Sequence, residues 1–212
     1  ASDVYKRQKP EDKMAVFAVL MRLREICCDP RLIADNWTGG SAKLDACIEL
    51  VTSAVESGHR ILLFSQFTSM LELLAKRLDE AGVSHFTLQG STPKPVRAEQ
   101  VRRFNQGEAD VFLISLRAGG TGLNLTAADI VIHYDPWWNL AAQNQATDRA
   151  YRIGQRNPVQ VYRLIAQDTI EEKIVELQQA KQSLADTVTG GADGAILSMN
   201  PEQLLQLLGE EA

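Results

Sequence analysis

Two segments of the chain combine residue types that bind phosphate groups. The first segment, Ser115–Thr126, follows a short apolar run and holds three glycines within four positions. Glycine lets backbone N–H groups approach an anion or a nucleic-acid strand closely. The segment is not a dinucleotide-binding fingerprint, because Leu125 stands at the third glycine position. No glycine of the chain precedes the Lys-Ser/Thr pair of a P-loop either. A phosphate-contacting loop and a simple tight turn both remain open.

The second segment, Gln143–Gln155, carries one amide and two guanidiniums at helical spacing. Gln145, Arg149 and Arg152 are separated by four and three residues, so a helix presents them on one face. Guanidiniums aimed together suit a phosphate group that gains charge in a transition state. The alternative is a solvated helix face on which the arginines pair with Asp148 and other acids.

Composition limits the class of protein that carries these segments. The 212 residues are 45% apolar and 23% charged, which indicates one large globular domain, alone or with extensions. The net charge of −5 excludes a uniformly basic coat for nucleic acid, but residues 91–165 carry +3 and residues 166–212 carry −7. Three cysteines without CxxC spacing argue against a disulfide framework and a structural zinc site. The absence of a long apolar run or a signal peptide predicts a soluble, intracellular protein, and we expect no metal site.

Alternating patterns predict an α/β fold in which a parallel sheet is sandwiched by helices. The predicted strands are residues 60–64, 84–88, 110–114, 130–134 and 159–165. The predicted helices are residues 14–28, 43–55, 69–81, 95–106, 139–152 and 169–184. Ser69 with Glu72, and Thr169 with Glu172, are predicted to form capping boxes at two helix starts.

The predicted elements divide the chain into five parts. Residues 1–13 are predicted to be a loose lead-in that need not belong to the native protein, and residues 14–166 form the α/β domain with its N-terminal helices. Residues 167–186 follow as a long amphipathic helix, residues 187–199 as a flexible Gly-rich linker, and residues 200–212 as a short amphipathic helix.

The order of these motifs resembles that of a known family. The Gly-rich segment resembles motif V of superfamily-two helicases, and the helix ending in Arg-Ile-Gly-Gln at residues 152–155 resembles motif VI. Asp-Pro-Trp-Trp-Asn at residues 135–139 points to the Swi/Snf family of DNA-dependent ATPases. Further resemblances to the family lie at Leu23–Pro30, Ser41–Leu44, Ile61–Phe67 (motif IV) and Leu88–Thr92 with Arg97 (motif IVa). The chain is therefore identified as a C-terminal, second RecA-like lobe of such an ATPase, and a bacterial member is expected.

The resemblance implies a role for individual residues. Arg149 and Arg152 match arginine fingers that reach the γ-phosphate of ATP, and Gln145 matches a residue that helps link the two lobes around the nucleotide. The motif V turn at the nucleotide corresponds to Gly120, Thr121 and Gly122. The implied DNA contacts are Gln66, Thr68, Ser91, Thr92, Arg117, Gly119 and Trp138. Local capping is the alternative for Thr68 and Thr92, and core packing is the alternative for Trp138. Asp29, Arg117 and Leu140 depart from the residues common in the family, and none of these departures removes a catalytic group.

The catalytic groups of an ATPase first lobe are missing from the chain. ATP hydrolysis needs a P-loop lysine and a carboxylate for Mg²⁺. The string that most resembles such a carboxylate motif is Asp79-Glu80-Ala81-Gly82. It lies at a predicted helix end rather than after a strand. We therefore expect ATP and Mg²⁺ to be held mainly by a first lobe outside this chain, with neither bound to this chain alone.

The resemblance also implies the partners and the overall function. The expected function is the second motor lobe of an ATP-dependent double-stranded DNA translocase or remodeller, inactive as an ATPase without the first lobe. The alternative is a non-catalytic DNA-clamping or protein-interaction module of the same fold. Expected partners are the N-terminal RecA-like lobe of the same protein, double-stranded DNA, and a protein target such as RNA polymerase or a nucleoid protein, with no membrane. The expected location is the cytoplasm, at the nucleoid, in a bacterium, or the nucleus in a eukaryote. The helix at 167–186 resembles a brace that packs across the lobes.

Overall fold

The computed structural model describes residues 10–119, 123–148 and 158–185, which build a sheet covered by helices on both faces. The strands are β1 (Ile61–Ser65), β2 (His85–Leu88), β3 (Val111–Ser115), β4 (Ile130–His133) and β5 (Gln160–Arg163). The helices are α1 (Pro10–Cys28), α2 (Ala42–Glu56), α3 (Thr68–Glu80), α4 (Lys94–Asn105), the single turn α5 (Leu116–Gly119), α6 (Leu140–Thr147) and α7 (Ile170–Ala185).

The five strands pair in parallel throughout, in the order β2-β3-β1-β4-β5. The three inner strands are buried along their whole length, as expected for a parallel sheet that helices cover on both faces. This architecture confirms the predicted α/β fold. The carboxyl ends of all five strands consequently lie at one edge of the sheet, where open α/β sheets bind their ligands.

Successive residues of β1 supply two separate cores. Ile61 and Leu63 pack with the apolar stripes of α2 and α3 on one face. Leu62 and Phe64 pack on the other face against residues of β3 and Phe104 of α4. Side chains alternate between the faces of a strand, so a fully apolar strand must be covered twice. The position of β1 is therefore fixed from both sides, and so is the position of the residues that follow it.

The end of α1 is set by the two residues after it. Pro30 disfavours a helical conformation of Asp29 and opens a short 3-10 turn at Pro30–Leu32. The buried Asp29 carboxylate accepts the Arg31 N–H at 2.9 Å and pairs with the Arg31 guanidinium at 2.7 Å. The predicted C-terminal end of the first helix is confirmed, whereas its start lies at Pro10, four residues before the prediction.

One predicted capping box is wrong, and in the other each of the two side-chain bonds goes to the backbone N–H one residue earlier than predicted. Helix α3 already begins at Thr68 and no side chain caps it, because the Ser65 hydroxyl accepts the Phe67 N–H at 3.2 Å and the chain turns into the helix early. Ser69 therefore lies inside the first turn. Helix α7 begins after Thr169, as predicted, with the Thr169 hydroxyl accepting the Glu171 N–H at 3.1 Å.

Several predicted parts of the chain lie outside the described residues. These are residues 1–9 of the lead-in, the linker at 187–199, the short helix at 200–212, and the continuation of the Gln/Arg helix through residues 149–157. Within the described ranges, no helix has both the length and the apolar content to cross a bilayer. Over the same ranges, no three His, Cys, Asp or Glu side chains converge as a metal site requires.

His133 at the end of β4 makes the stability of the fold depend on pH. Its side chain is buried, stacks on Phe64 with ring centroids 5.5 Å apart, and bonds the Thr147 hydroxyl through Nε2 at 2.8 Å. The Thr147 hydroxyl itself donates to the Gln143 carbonyl, so Nε2 carries the proton of the neutral ring. Burial, with a smaller effect of Arg163, lowers the pKa of His133 to about 4.

We therefore expect neutral His133 to contribute fully to the free energy of unfolding above pH ~6.5. That contribution is lost as the pH falls toward ~4, because the histidine of the unfolded chain is protonated at a higher pH than the buried one. The loss amounts to about 3 kcal/mol of unfolding free energy. Urea unfolding across this pH range, compared with His133→Gln, measures the effect. The His133→Gln curve should be flatter by that amount, and parallel curves would contradict the assignment.

Candidate nucleic-acid interface

A groove of about 710 Å³ lies along the carboxyl edge of the sheet. Its floor and one wall come from the segments that follow β1, β2 and β4, and its other wall comes from one face of α1. The wall from α1 carries Phe17, Met21, Arg24 and Glu25. The fold thus gathers residues that are far apart in sequence into a single surface.

Four of the predicted DNA contacts line this groove. Gln66 and Thr68 follow β1, Ser91 follows β2, and Trp138 follows β4. Thr68 is exposed at the first residue of α3, which has no side-chain cap, so the capping alternative does not account for it. These four side chains supply hydroxyl, amide and indole hydrogen-bonding groups rather than charge.

Thr92 caps a local turn, which was the alternative to a DNA contact for this residue. Its hydroxyl accepts the Gln89 N–H at 3.0 Å, and its own N–H donates to the Gln89 carbonyl at 3.1 Å. These two bonds close the turn that presents Ser91 to the groove. Thr92 therefore shapes the surface from behind.

The remaining predicted site residues are only partly described. Gln145 is exposed on α6, and Arg117 and Gly119 belong to α5, directly after β3. The Arg117 side chain lies outside the described part of the structure. Five further site residues lie wholly outside the described part of the structure, namely Gly120, Thr121, Gly122, Arg149 and Arg152.

A buried ion pair under the groove joins α1 to the loop after β4. The Arg24 guanidinium lies 3.7 Å from the Asp135 carboxylate, and each side chain is only 1% exposed. Arg24 Nη2 also donates to the Pro136 carbonyl at 2.6 Å. The other carboxylate oxygen of Asp135 accepts the Ser65 hydroxyl at 2.6 Å and the Gln66 N–H at 3.2 Å. The pair therefore ties the end of β1 to the end of β4.

Burial shifts the pKa of both partners in this pair. Burial lowers the pKa of Arg24, and the nearby Asp135 carboxylate opposes the shift. Complete burial raises the pKa of Asp135, while Arg24 and the two hydrogen bonds from Ser65 and Gln66 lower it. Arginine keeps its proton in proteins, so Arg24 remains a cation and Asp135 is its counter-ion. The groove wall is consequently close to neutral at Arg24.

Trp138 belongs to both the core and the groove. Its ring packs against Leu20 of α1 and Ile170 and Ile174 of α7, and Arg24 lies 4.9 Å from the ring centroid. This packing supports the core alternative for the ring. The indole Nε1 is nonetheless buried without a hydrogen-bond partner in the described structure, as is the amide Nε2 of Gln66. Two residues that line the groove thus each carry a buried donor without an acceptor, and a buried unmatched donor is costly.

Sequence reasoning missed Arg24 and Asp135 as site residues. Both lie in segments that carry the family resemblance, but neither was assigned a role. The sequence signal was weak, since Arg24 is one of three charges, with Arg22 and Glu25, in the largely apolar stretch of α1 at residues 14–28. A charge in such a stretch is rarely fully buried unless it is paired.

The five-stranded parallel sheet with helices on both faces defines the chain as a RecA-like α/β domain. The chain belongs to the helicase conserved C-terminal domain family, whose model matches residues 42–154. It is 39% identical, over 92% of its length, to the "Putative ATP-dependent helicase/translocase YwqA" of Bacillus subtilis, of which it covers 22%. It is also 39% identical, over 88% of its length, to the "SWI/SNF-related matrix-associated actin-dependent regulator of chromatin subfamily A member 1" of Mus musculus, of which it covers 19%.

A solved structure gives the same assignment. The "Sulfolobus solfataricus SWI2/SNF2 ATPase C-terminal domain" is similar with a TM-score of 0.75 and 27% identity, covering 97% of this chain and 86% of that one. The expected family, a Swi/Snf C-terminal helicase lobe, and the expected RecA-like fold are therefore confirmed. The chain spans about a fifth of the length of the curated relatives it matches.

Proposed function

We propose that the chain is the second motor lobe of an ATP-dependent translocase or remodeller that acts on double-stranded DNA. The observation that carries this proposal is the groove in which Gln66, Thr68, Ser91 and Trp138 come together. Each matches a family position near DNA, and two of them, Gln66 and Trp138, carry a buried donor without a hydrogen-bond partner in the described structure. A strand of DNA backbone supplies a regular row of acceptor oxygens to such a surface.

The chemistry of the groove favours the DNA backbone over the bases. Hydroxyl, amide and indole donors bond phosphate and sugar oxygens, which are the same at every sequence position. A translocase must hold every sequence alike, so a surface without base-reading arginines suits it. Arg24 is the one arginine that lines the groove in the described structure, and Asp135 and the Pro136 carbonyl engage it from below.

The ATP-related part of the proposal rests on the motif VI match. Gln145 lies exposed on α6, and Arg149 and Arg152 follow it in sequence. When a first lobe holds ATP and Mg²⁺, these arginines stabilise the charge that develops on the transferred phosphoryl group. By the match to motif V, Gly120, Thr121 and Gly122 are expected to form a turn between nucleotide and DNA. RNA polymerase or a nucleoid protein is the expected class of protein target.

This chain alone is expected to show no DNA-stimulated ATP hydrolysis, because it has no P-loop lysine and its DExx-like string, Asp79–Gly82, lies at the end of a helix rather than after a strand. A phosphate-release assay with and without duplex DNA measures this directly. Turnover above background would contradict the two-lobe proposal. If the full-length protein also fails to hydrolyse ATP yet binds DNA, the function is instead the non-catalytic DNA clamp.

DNA binding by the groove is tested with Gln66→Leu, which removes the amide donor and keeps the size of the side chain. We expect the affinity for a mixed-sequence duplex to fall about tenfold, the value of one hydrogen bond to a charged group. The slope of log affinity against log salt should stay unchanged, because no cation is lost. Fluorescence anisotropy between ~50 and ~200 mM salt measures both quantities.

The matched control is Gln179→Leu, the same change at an exposed position of α7. It should bind DNA as the wild type does. Equal affinities of Gln66→Leu and wild type would count against the groove as the DNA site. A smaller salt slope in Gln66→Leu would mean that a charged contact had been disturbed instead.

A further inference from the structure

The loop between β4 and α6 is held at consecutive backbone groups by side chains of three helices. Arg24 of α1 donates to the Pro136 carbonyl at 2.6 Å. The side-chain oxygen of Gln143, on α6, accepts the Trp137 N–H at 3.2 Å. Gln178 of α7 donates its amide to the Trp137 carbonyl. All three side chains are buried, at 1%, 1% and 6% exposure.

These bonds decide where the loop lies. Peptide groups outside helices and strands must find other partners when they are buried, and an orphaned one is costly. Removing one of the three side chains therefore leaves a loop group unmatched unless the loop moves toward water. Three partners from different directions define one loop position, and a single partner would allow the loop to pivot.

The loop between β4 and α6 contributes to the groove and leads directly into α6. Trp138, the next residue, lines the groove. Gln143 lies two positions before Gln145, on the helix that leads in sequence to Arg149. At the start of the loop, Asp135 bonds the Gln66 N–H. A shift of the loop is thus transmitted both to the groove donors and to α6.

We infer that Gln143 and Gln178 are positioning residues for DNA binding, which fix the Trp138 indole in the groove by holding the backbone of Trp137. Neither side chain lines the groove, so neither acts on DNA directly. The inference rests on the proposed function, because it requires that the groove binds DNA. It adds that side chains of α6 and α7, which do not line the groove, fix the position of a residue that does.

The test is a double-mutant cycle between position 143 and Trp138, measured as duplex affinity of this chain. Gln143→Met removes the acceptor at similar size, and we expect DNA binding to weaken about fivefold, as for the loss of one buried hydrogen bond. Gln143→Glu keeps an acceptor oxygen for the Trp137 N–H, and at a pH where the buried carboxyl is protonated it should recover most of the affinity. Asn144→Met, at the neighbouring exposed position of α6, is the control and should bind as the wild type does.

The cycle separates positioning from general stability. In a Trp138→Ala background, Gln143→Met should have no further effect, because its route to DNA has been removed. The same weakening in both backgrounds would overturn the inference, as would wild-type affinity of Gln143→Met. If Gln143→Met does not fold, Gln178→Leu runs through the same cycle, with Gln179→Leu as its control.

The two proposals fail in different ways. If Trp138→Ala binds DNA as tightly as the wild type, the groove is not the DNA site and the proposed function itself loses its support. If Trp138→Ala binds more weakly while Gln143→Met and Gln178→Leu do not, the groove stands and only the positioning inference is wrong.

Discussion

In the full-length protein, Arg152→Ala is expected to lower the rate of DNA-stimulated ATP hydrolysis by about 10³- to 10⁵-fold. The match of Arg152 to the second arginine of motif VI carries this expectation. A guanidinium that reaches the γ-phosphate acts on charge that develops only in the transition state, so its loss falls on kcat. DNA affinity should be unchanged, because the motif VI match assigns Arg152 to the nucleotide rather than to DNA. Steady-state hydrolysis at saturating ATP and duplex, alongside anisotropy, measures both.

Two further variants sharpen this test. Arg152→Lys keeps the charge but loses the planar, two-pronged donor set, so it should restore only a small part of the rate. Arg22→Ala removes an arginine that is exposed on α1 and should leave both hydrolysis and DNA binding intact. A parallel loss of hydrolysis and DNA affinity in Arg152→Ala would make the residue a structural or DNA-contacting group instead of an arginine finger.

The central sheet could be predicted from sequence because its strands leave a simple signal. The three inner strands are buried on both faces, so their sequences are continuous apolar runs, and the predictions for them match the structure to within one residue at each end. The edge strand β5 is shorter than predicted, Gln160–Arg163 rather than residues 159–165, and mostly exposed. An edge strand pairs on one side only, so its ends depend on a single neighbour.

Capping was harder to predict because it depends on where the chain arrives. Ser69 and Glu72 have the spacing of a capping box, yet α3 begins one residue before Ser69. The decisive contact is the Ser65 hydroxyl, which bonds both Asp135 and the Phe67 N–H. Asp135 lies 70 residues away from Ser65 in sequence, so no local pattern contains that information.

Part of the groove could be predicted from the order of the strands. Gln66, Ser91 and Trp138 each follow a strand of a parallel sheet, and the carboxyl ends of such strands share one edge. The contacts that support these residues were not predictable, because Arg24 and Pro136 are separated by 112 residues and buried side-chain contacts have no fixed spacing. Motif matching finds residues that touch a ligand more readily than residues that hold them in place.

Lys43→Met is expected to lower the unfolding free energy by about 3–5 kcal/mol, the usual result of leaving one partner of a buried ion pair alone. Lys43 Nζ lies 2.6 and 2.7 Å from the two carboxylate oxygens of Glu171, and the side chains are 9% and 0% exposed. Urea unfolding of this chain measures the loss. Lys76→Met, the same change at an exposed position of α3, is the control and should have little effect.

Adding Glu171→Gln to Lys43→Met should recover part of the lost stability. The glutamine removes the unpaired charge and keeps an oxygen for the Ala166 N–H, which Glu171 accepts at 2.8 Å. A double variant no more stable than Lys43→Met would mean that Lys43 stabilises the fold through its contact with the Tyr134 ring, 5.2 Å away, rather than through Glu171. The pair joins α2 to the start of α7, the helix that supplies Gln178 to the loop beneath the groove. Loss of the ion pair should therefore also weaken DNA binding, because a shift of α7 would move Gln178 away from the loop.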